Sequence, residues 1–175
     1  MRAWWKRYRL YLGVAVPAVL CHNLLHEGVH YIVAIACGED VRAFRFLNNG
    51  WGTSQVVYGL PVDQRVGGHW LLVAWAPSAV TTLLGYALYA LRTGFGPRPA
   101  GRHALLYVGF FSLLLDPFYM SVLSVVVGGD VEATAAVGLP VWPVQVAAAG
   151  VMVFNLMLFA RWQREVLQVR DCASR

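Results

Sequence analysis

Residues 10–37 read LYLGVAVPAVLCHNLLHEGVHYIVAIAC, an apolar run interrupted by His22, Asn23, His26, Glu27 and His30. Its length decides the fold. A helix rises about 1.5 Å per residue and a bilayer core is about 30 Å thick, so about 20 apolar residues suffice to cross. The run exceeds that length, and it is too long for the apolar part of a cleaved leader, which is about 7–15 residues. It reads as a retained span. Arg2, Lys6, Arg7 and Arg9 precede it, and Trp4, Trp5, Tyr8 and Tyr11 fit the aromatic belt found at the boundary of water and lipid.

Outward from this run, residues 69–91, 103–127 and 141–160 are three further apolar stretches of span length. The composition agrees. Of 175 residues, 58% are hydrophobic and 13% charged, with a mean hydropathy of +0.54. A soluble domain carries about 45–50% apolar and about 25% charged residues, and a chain this small could not bury the excess. The expected fold is therefore an all-α polytopic membrane protein, a single integral membrane domain over 1–175. It has about four transmembrane helices, about 10–37, 69–91, 103–127 and 141–160, and a small membrane-proximal β-hairpin in the 38–68 loop between the first two.

The formal net charge is +5, but the basic residues flank the apolar runs instead of forming a patch. Arg92, Arg98 and Arg102 follow the second run, and Arg161, Arg164, Arg170 and Arg175 follow the fourth. Such clusters set orientation under the positive-inside rule, so the expected partner is the lipid bilayer and not nucleic acid. Both termini are expected in the cytoplasm, the chain being multi-pass in the plasma (inner) membrane. Cys21, Cys37 and Cys172 are too few and too scattered for a disulfide framework. In the 38–68 loop, residues 41–47 (VRAFRFL) and 51–58 (WGTSQVVY) are rich in β-branched and aromatic side chains. Asn48-Asn49-Gly50 between them supplies turn chemistry, which is the basis of the expected hairpin.

The first span contains His26-Glu27-Gly28-Val29-His30, an H-E-x-x-H pattern. Residues four apart lie on one helical face, so both imidazoles can address one zinc ion while Glu27 borders it as general base. Ionisable groups inside a span are costly and mark functional sites. His22 lies too far along the axis, about 12 Å from His30, to share an ion with both other rings. It is a supporting or substrate-side residue. Asn23, four residues before Glu27, is placed to orient that carboxylate or bind substrate, or simply to satisfy Glu27 within a bundle.

A catalytic zinc takes three protein ligands, so one must come from another element. Asp116, midway along the third run, is the expected third ligand, at a matching depth and next to Pro117, which loosens the helix. Asp130, after Gly128-Gly129, is the rival, and it reads as a solvated loop residue. His69 and His103 stand at span boundaries and are assigned no metal. Asn155 and Gln145 in the fourth run offer amides to a substrate backbone, or to neighbouring helices.

These residues resemble the site-2 protease family of intramembrane zinc metalloproteases. The likeness covers roughly residues 20 to 120. It rests on the H-E-x-x-H in an apolar span, on Gly38-Glu39-Asp40-Val41, similar to the G-x-x-V that follows it, on Ala76-Pro77-Ser78 beside the family's G-P-x-x-N, and on Leu115-Asp116 beside its L-D-G. The resemblance implies hydrolysis of a peptide bond in or next to a transmembrane segment of a membrane protein substrate. The expected activity is that of a zinc metalloendopeptidase with Zn2+ held by His26, His30 and Asp116 and with Glu27 as catalytic base. Two other readings stand beside it. One is a non-catalytic membrane adaptor or chaperone with a His/Asp metal or packing cluster, and the other is a metal or proton carrier.

Overall fold

The computed structural model describes the backbone of residues 2–47, 54–61, 64–92 and 99–173, and the side chains of 13–47, 54–61, 64–92, 107–162 and 164. The expected turn at Asn48-Asn49-Gly50 and the rings of Trp4, Trp5, Tyr8, Tyr11 and His103 lie outside these. In chain order the elements are α1 (Arg2–Ala36), β1 (Val41–Arg45), β2 (Gln55–Tyr58), α2 (Gly68–Leu91), α3 (Pro99–Phe118), a π-helical turn (Tyr119–Leu123), α4 (Ser124–Val127), α5 (Glu132–Ala136) and α6 (Trp142–Ala173).

Among the described residues, three helical segments are long and apolar enough to cross a membrane: Gly68–Leu91, Tyr107–Val127 and Trp142–Trp162. The expectation of four spans is reduced accordingly. α1 has the length, but it is not among the three, and the five polar residues from His22 to His30 account for its lower apolarity. α2 and α3 pack on each other and both pack on α1, while α6 packs on α3 and the π-helical turn.

Two prolines inside helices free carbonyls that other elements then use. Proline has no N–H, so the carbonyl four residues earlier loses its helical partner. Pro117 leaves Leu113 O, which accepts Nδ2 of Asn155 on α6 at 2.6 Å. Below Pro117 the helix widens into the π-helical turn, where Ser121 and Ser124 donate to Pro117 O and Met120 O, both at 2.6 Å. In a medium without water such internal repairs make an irregular helix tolerable.

β1 and β2 form the expected antiparallel hairpin, pairing Val41 with Tyr58, Ala43 with Val57, Phe44 with Val56 and Arg45 with Gln55, with an irregularity between Val41 and Ala43. Its inner side closes over Ala34, Trp70 and Val73, with Val41 and Tyr58 against them. That cluster fixes the hairpin to α1 and α2. His69 Nε2 pairs with Glu39 at 2.5 Å beside it.

Candidate metal centre

α1 carries His22, His26 and His30 on successive turns of one face, and all three rings are buried. The i, i+4 spacing guarantees this alignment wherever the segment is helical. The ring centroids of His26 and His30 are 4.9 Å apart, and those of His22 and His26 are 6.4 Å apart.

His30 is fixed from behind by α2. Its Nδ1 lies 2.8 Å from Val73 O. A carbonyl only accepts, so Nδ1 carries the proton and Nε2 keeps its lone pair in the neutral ring. Val73 O is available because residue 77, four further on, is Pro77. The proline thus sets the tautomer of a histidine on another helix.

The Nε2 atoms of His26 and His30 both face Asp130, at 3.4 Å from Oδ2 and Oδ1 respectively. Asp130 is not the solvated loop residue its position suggested: its side chain is 19% exposed. Gly128 and Gly129, with φ of 68° and 96°, reverse the chain after α4 and return it to the bundle, and Val131 is buried against Met120 and Ala148. A Cβ on Gly129 would collide with the Tyr119 hydroxyl, so the approach is as close as the conformation is unusual.

Asp116 lies elsewhere in the cluster. Its Oδ1 is 3.1 Å from His26 Nδ1 and 3.2 Å from His22 Nε2, and its Oδ2 accepts the Thr81 hydroxyl. The donor atoms form two triads that share His26, one of His26, His30 and Asp130, the other of His22, His26 and Asp116. The expected trio of His26, His30 and Asp116 is therefore not the set that converges, because the glycine turn delivers Asp130 to the Nε2 side first. Thr81, fully buried in α2, and Val73 O had no place in the sequence reading. The sequence held no signal that singled out Thr81 from Ser78 and Thr82 in the same apolar run, whereas Pro77 was the signal for Val73 O.

Glu27 faces the hairpin. Its Oε2 accepts the Val56 N–H at 3.1 Å, and Asn23 Oδ1 accepts the Ser54 N–H at 2.5 Å. One helical turn spans ~6 Å and two strand residues span ~6.6 Å, so the two side chains match alternate amides of one strand edge. Asn23 is thus a hairpin anchor. The substrate-binding role expected for Asn155 is not what its geometry offers. It is fully buried, accepts from Tyr86 Oη at 2.8 Å and donates to Leu113 O, so both ends of its amide are used between helices.

His26, His30 and Asp130 form a set that could hold a metal ion: their ligand atoms lie within 4.8 Å of one another, with His26 Nε2 and His30 Nε2 each 3.4 Å from a different oxygen of Asp130. Two lone-pair nitrogens facing an accept-only carboxylate also call for positive charge between them. Beside them is a cavity of about 230 Å³ lined by Glu27, His30, Asp130, Tyr58 and Arg65 among others. Burial, and then the negative charge of Glu27, push the Tyr58 hydroxyl up, so it remains a proton donor there. The Arg65 guanidinium stacks 4.4 Å above the Tyr58 ring and 5.4 Å above Trp70, closing one side.

Comparison of the chain with protein-family models, with curated proteins and with solved structures gives no match.

Proposed function

We propose that the chain is an intramembrane zinc metalloprotease that hydrolyses a peptide bond in or next to a transmembrane segment of another membrane protein. The observation that carries this reading is the convergence of His26 Nε2, His30 Nε2 and the Asp130 carboxylate at ligand spacing, with Glu27 adjoining the same cavity. The resemblance of the H-E-x-x-H span to site-2 proteases supplies the substrate class, and α1 acts as a fourth crossing, both termini being cytoplasmic.

Zinc held by these three residues supplies Lewis acidity, making water nucleophilic at neutral pH and polarising the scissile carbonyl. The chain does the rest. Glu27 keeps one carboxylate oxygen on Val56 N–H, which fixes its position, and uses the other to take the proton from water and pass it to the leaving amine. The hydroxyl of Tyr58, protonated and facing the cavity, is placed to donate to substrate. A substrate helix hides its backbone, so it must first unwind and lie extended in the cavity.

The test uses the full chain purified in detergent and a panel of synthetic single-span peptides, with products identified by mass spectrometry. The wild type is expected to hold stoichiometric zinc and to cleave in a chelator-sensitive manner, and Glu27→Gln is expected to hold zinc without cleaving. Absence of zinc from the wild type, as a packing cluster in an adaptor would give, or cleavage by Glu27→Gln overturns the reading.

A further inference from the structure

The proposed reaction leaves unused the most deeply buried acid among the described residues. Asp116 is 5% exposed, sits in an apolar helix, and is contacted by His22, His26 and Thr81, none of which is explained by a zinc on His26, His30 and Asp130. Nothing about a lone intramembrane carboxylate is cheap, so three donors converging on it demand a purpose.

We propose that Asp116 is a positioning residue that fixes the His26 ring through Nδ1, and that His22 and Thr81 fix Asp116 in turn. The inference rests on the zinc reading above. Its logic is that the two H-E-x-x-H rings have the same need. Each must offer Nε2 as a lone pair, and a neutral imidazole does so only when its proton is kept on Nδ1. His30 meets this need with Val73 O at 2.8 Å. His26 has no such carbonyl, and the acceptor on its Nδ1 side is Asp116 Oδ1 at 3.1 Å.

The roles of the oxygens follow. Oδ1 takes the N–H of His22 Nε2 at 3.2 Å and faces His26, while Oδ2 takes the Thr81 hydroxyl. A hydroxyl has one proton, and an ionised carboxylate is a stronger acceptor than a backbone carbonyl, so Thr81 points that proton at Asp116 in preference to Pro77 O or Ser78 O, which are also within reach. His26 Nδ1 lies 3.1 Å from Oδ1 and makes no hydrogen bond to any other group among the described residues. Asp116 belongs to no triad with His30 or Asp130, which excludes it from the ligand set that fits zinc. A carboxylate behind a ligating histidine also raises the basicity of that ligand, and its loss usually weakens metal affinity by ~10–100-fold.

The experiment is a competition titration of the purified full chain with zinc against a chromophoric chelator, together with the visible spectrum of the cobalt(II)-substituted protein. Wild type, Asp116→Ala, Asp116→Asn, His22→Gln and Asp130→Ala are compared, with helicity checked by circular dichroism. Asp116→Ala is expected to keep one equivalent of metal and a four-coordinate cobalt spectrum, with affinity reduced by ~10–100-fold. Asp116→Asn, which retains an acceptor oxygen, is expected to recover part of that loss, and His22→Gln to cost less than Asp116→Ala. Asp130→Ala is expected to lose the four-coordinate spectrum. Unchanged affinity in Asp116→Ala, or loss of the cobalt spectrum in Asp116→Ala with retention in Asp130→Ala, overturns the assignment while leaving a zinc protein in place. So do two equivalents in the wild type with one lost in Asp116→Ala, which would make His22, His26 and Asp116 a second metal site. If Asp116→Ala does not fold, Asp116→Asn and His22→Gln decide by the same criteria. A wild type that binds no metal overturns this inference and the zinc reading together.

Discussion

Replacing Asn23 with alanine tests the joint between the hairpin and the catalytic helix without touching a metal ligand. Asn23 Oδ1 is the acceptor for the Ser54 N–H at 2.5 Å, and Ser54 is 3% exposed. Leaving a buried backbone donor unpaired costs about 1–3 kcal/mol, which is roughly a 5- to 150-fold change in the local opening equilibrium. The assay is amide hydrogen exchange of the detergent-solubilised protein, read at Ser54 and Val56. Ser54 is expected to lose protection by that factor. Val56 loses less, because Glu27 still holds it at 3.1 Å. Asn23→Asp, which keeps an oxygen in place, is expected to preserve Ser54. Unchanged Ser54 protection in Asn23→Ala, or equal loss in Asn23→Asp, would refute the view that this side chain pins the strand.

Two further substitutions separate stability from metal binding. Pro77→Ala restores an N–H that competes for Val73 O, so it is expected to strengthen α2, by up to about 3 kcal/mol on propensity grounds, while weakening zinc binding through His30. Thermal unfolding and zinc competition should therefore move in opposite directions, and a rise in both would count against the proline's role. Gly129→Ala forces a Cβ into the Tyr119 hydroxyl at a φ of 96° and is expected to displace Asp130, lowering zinc affinity while leaving the Ser54 and Val56 amides protected. Undiminished affinity would show that the turn does not place the carboxylate.

The hairpin and the helical runs were legible because their signals are local. The β-branched and aromatic residues of 41–47 and 51–58 and the apolar runs of span length depend only on neighbours in the chain. Hydropathy also misled in one respect. It placed Asp130 in water because an apolar run ends before it, whereas two positive-φ glycines bring it back inside. The polar residues that make α1 interesting are also those that leave it out of the apolar, span-length set.

By itself the sequence determined that His26 and His30 share one face of a helix with Glu27 at its border, since that follows from 3.6 residues per turn and nothing else. It determined too that Asp116 needs partners. Which acid meets which ring was decided by the tertiary structure alone: Asp130 on the Nε2 side of His26 and His30, Asp116 on the Nδ1 side of His26. The physical reason is that those contacts join residues 90 to 104 positions apart through a glycine reversal, a proline-freed carbonyl and the packing of three helices. None of these is encoded in the spacing of the residues they bring together.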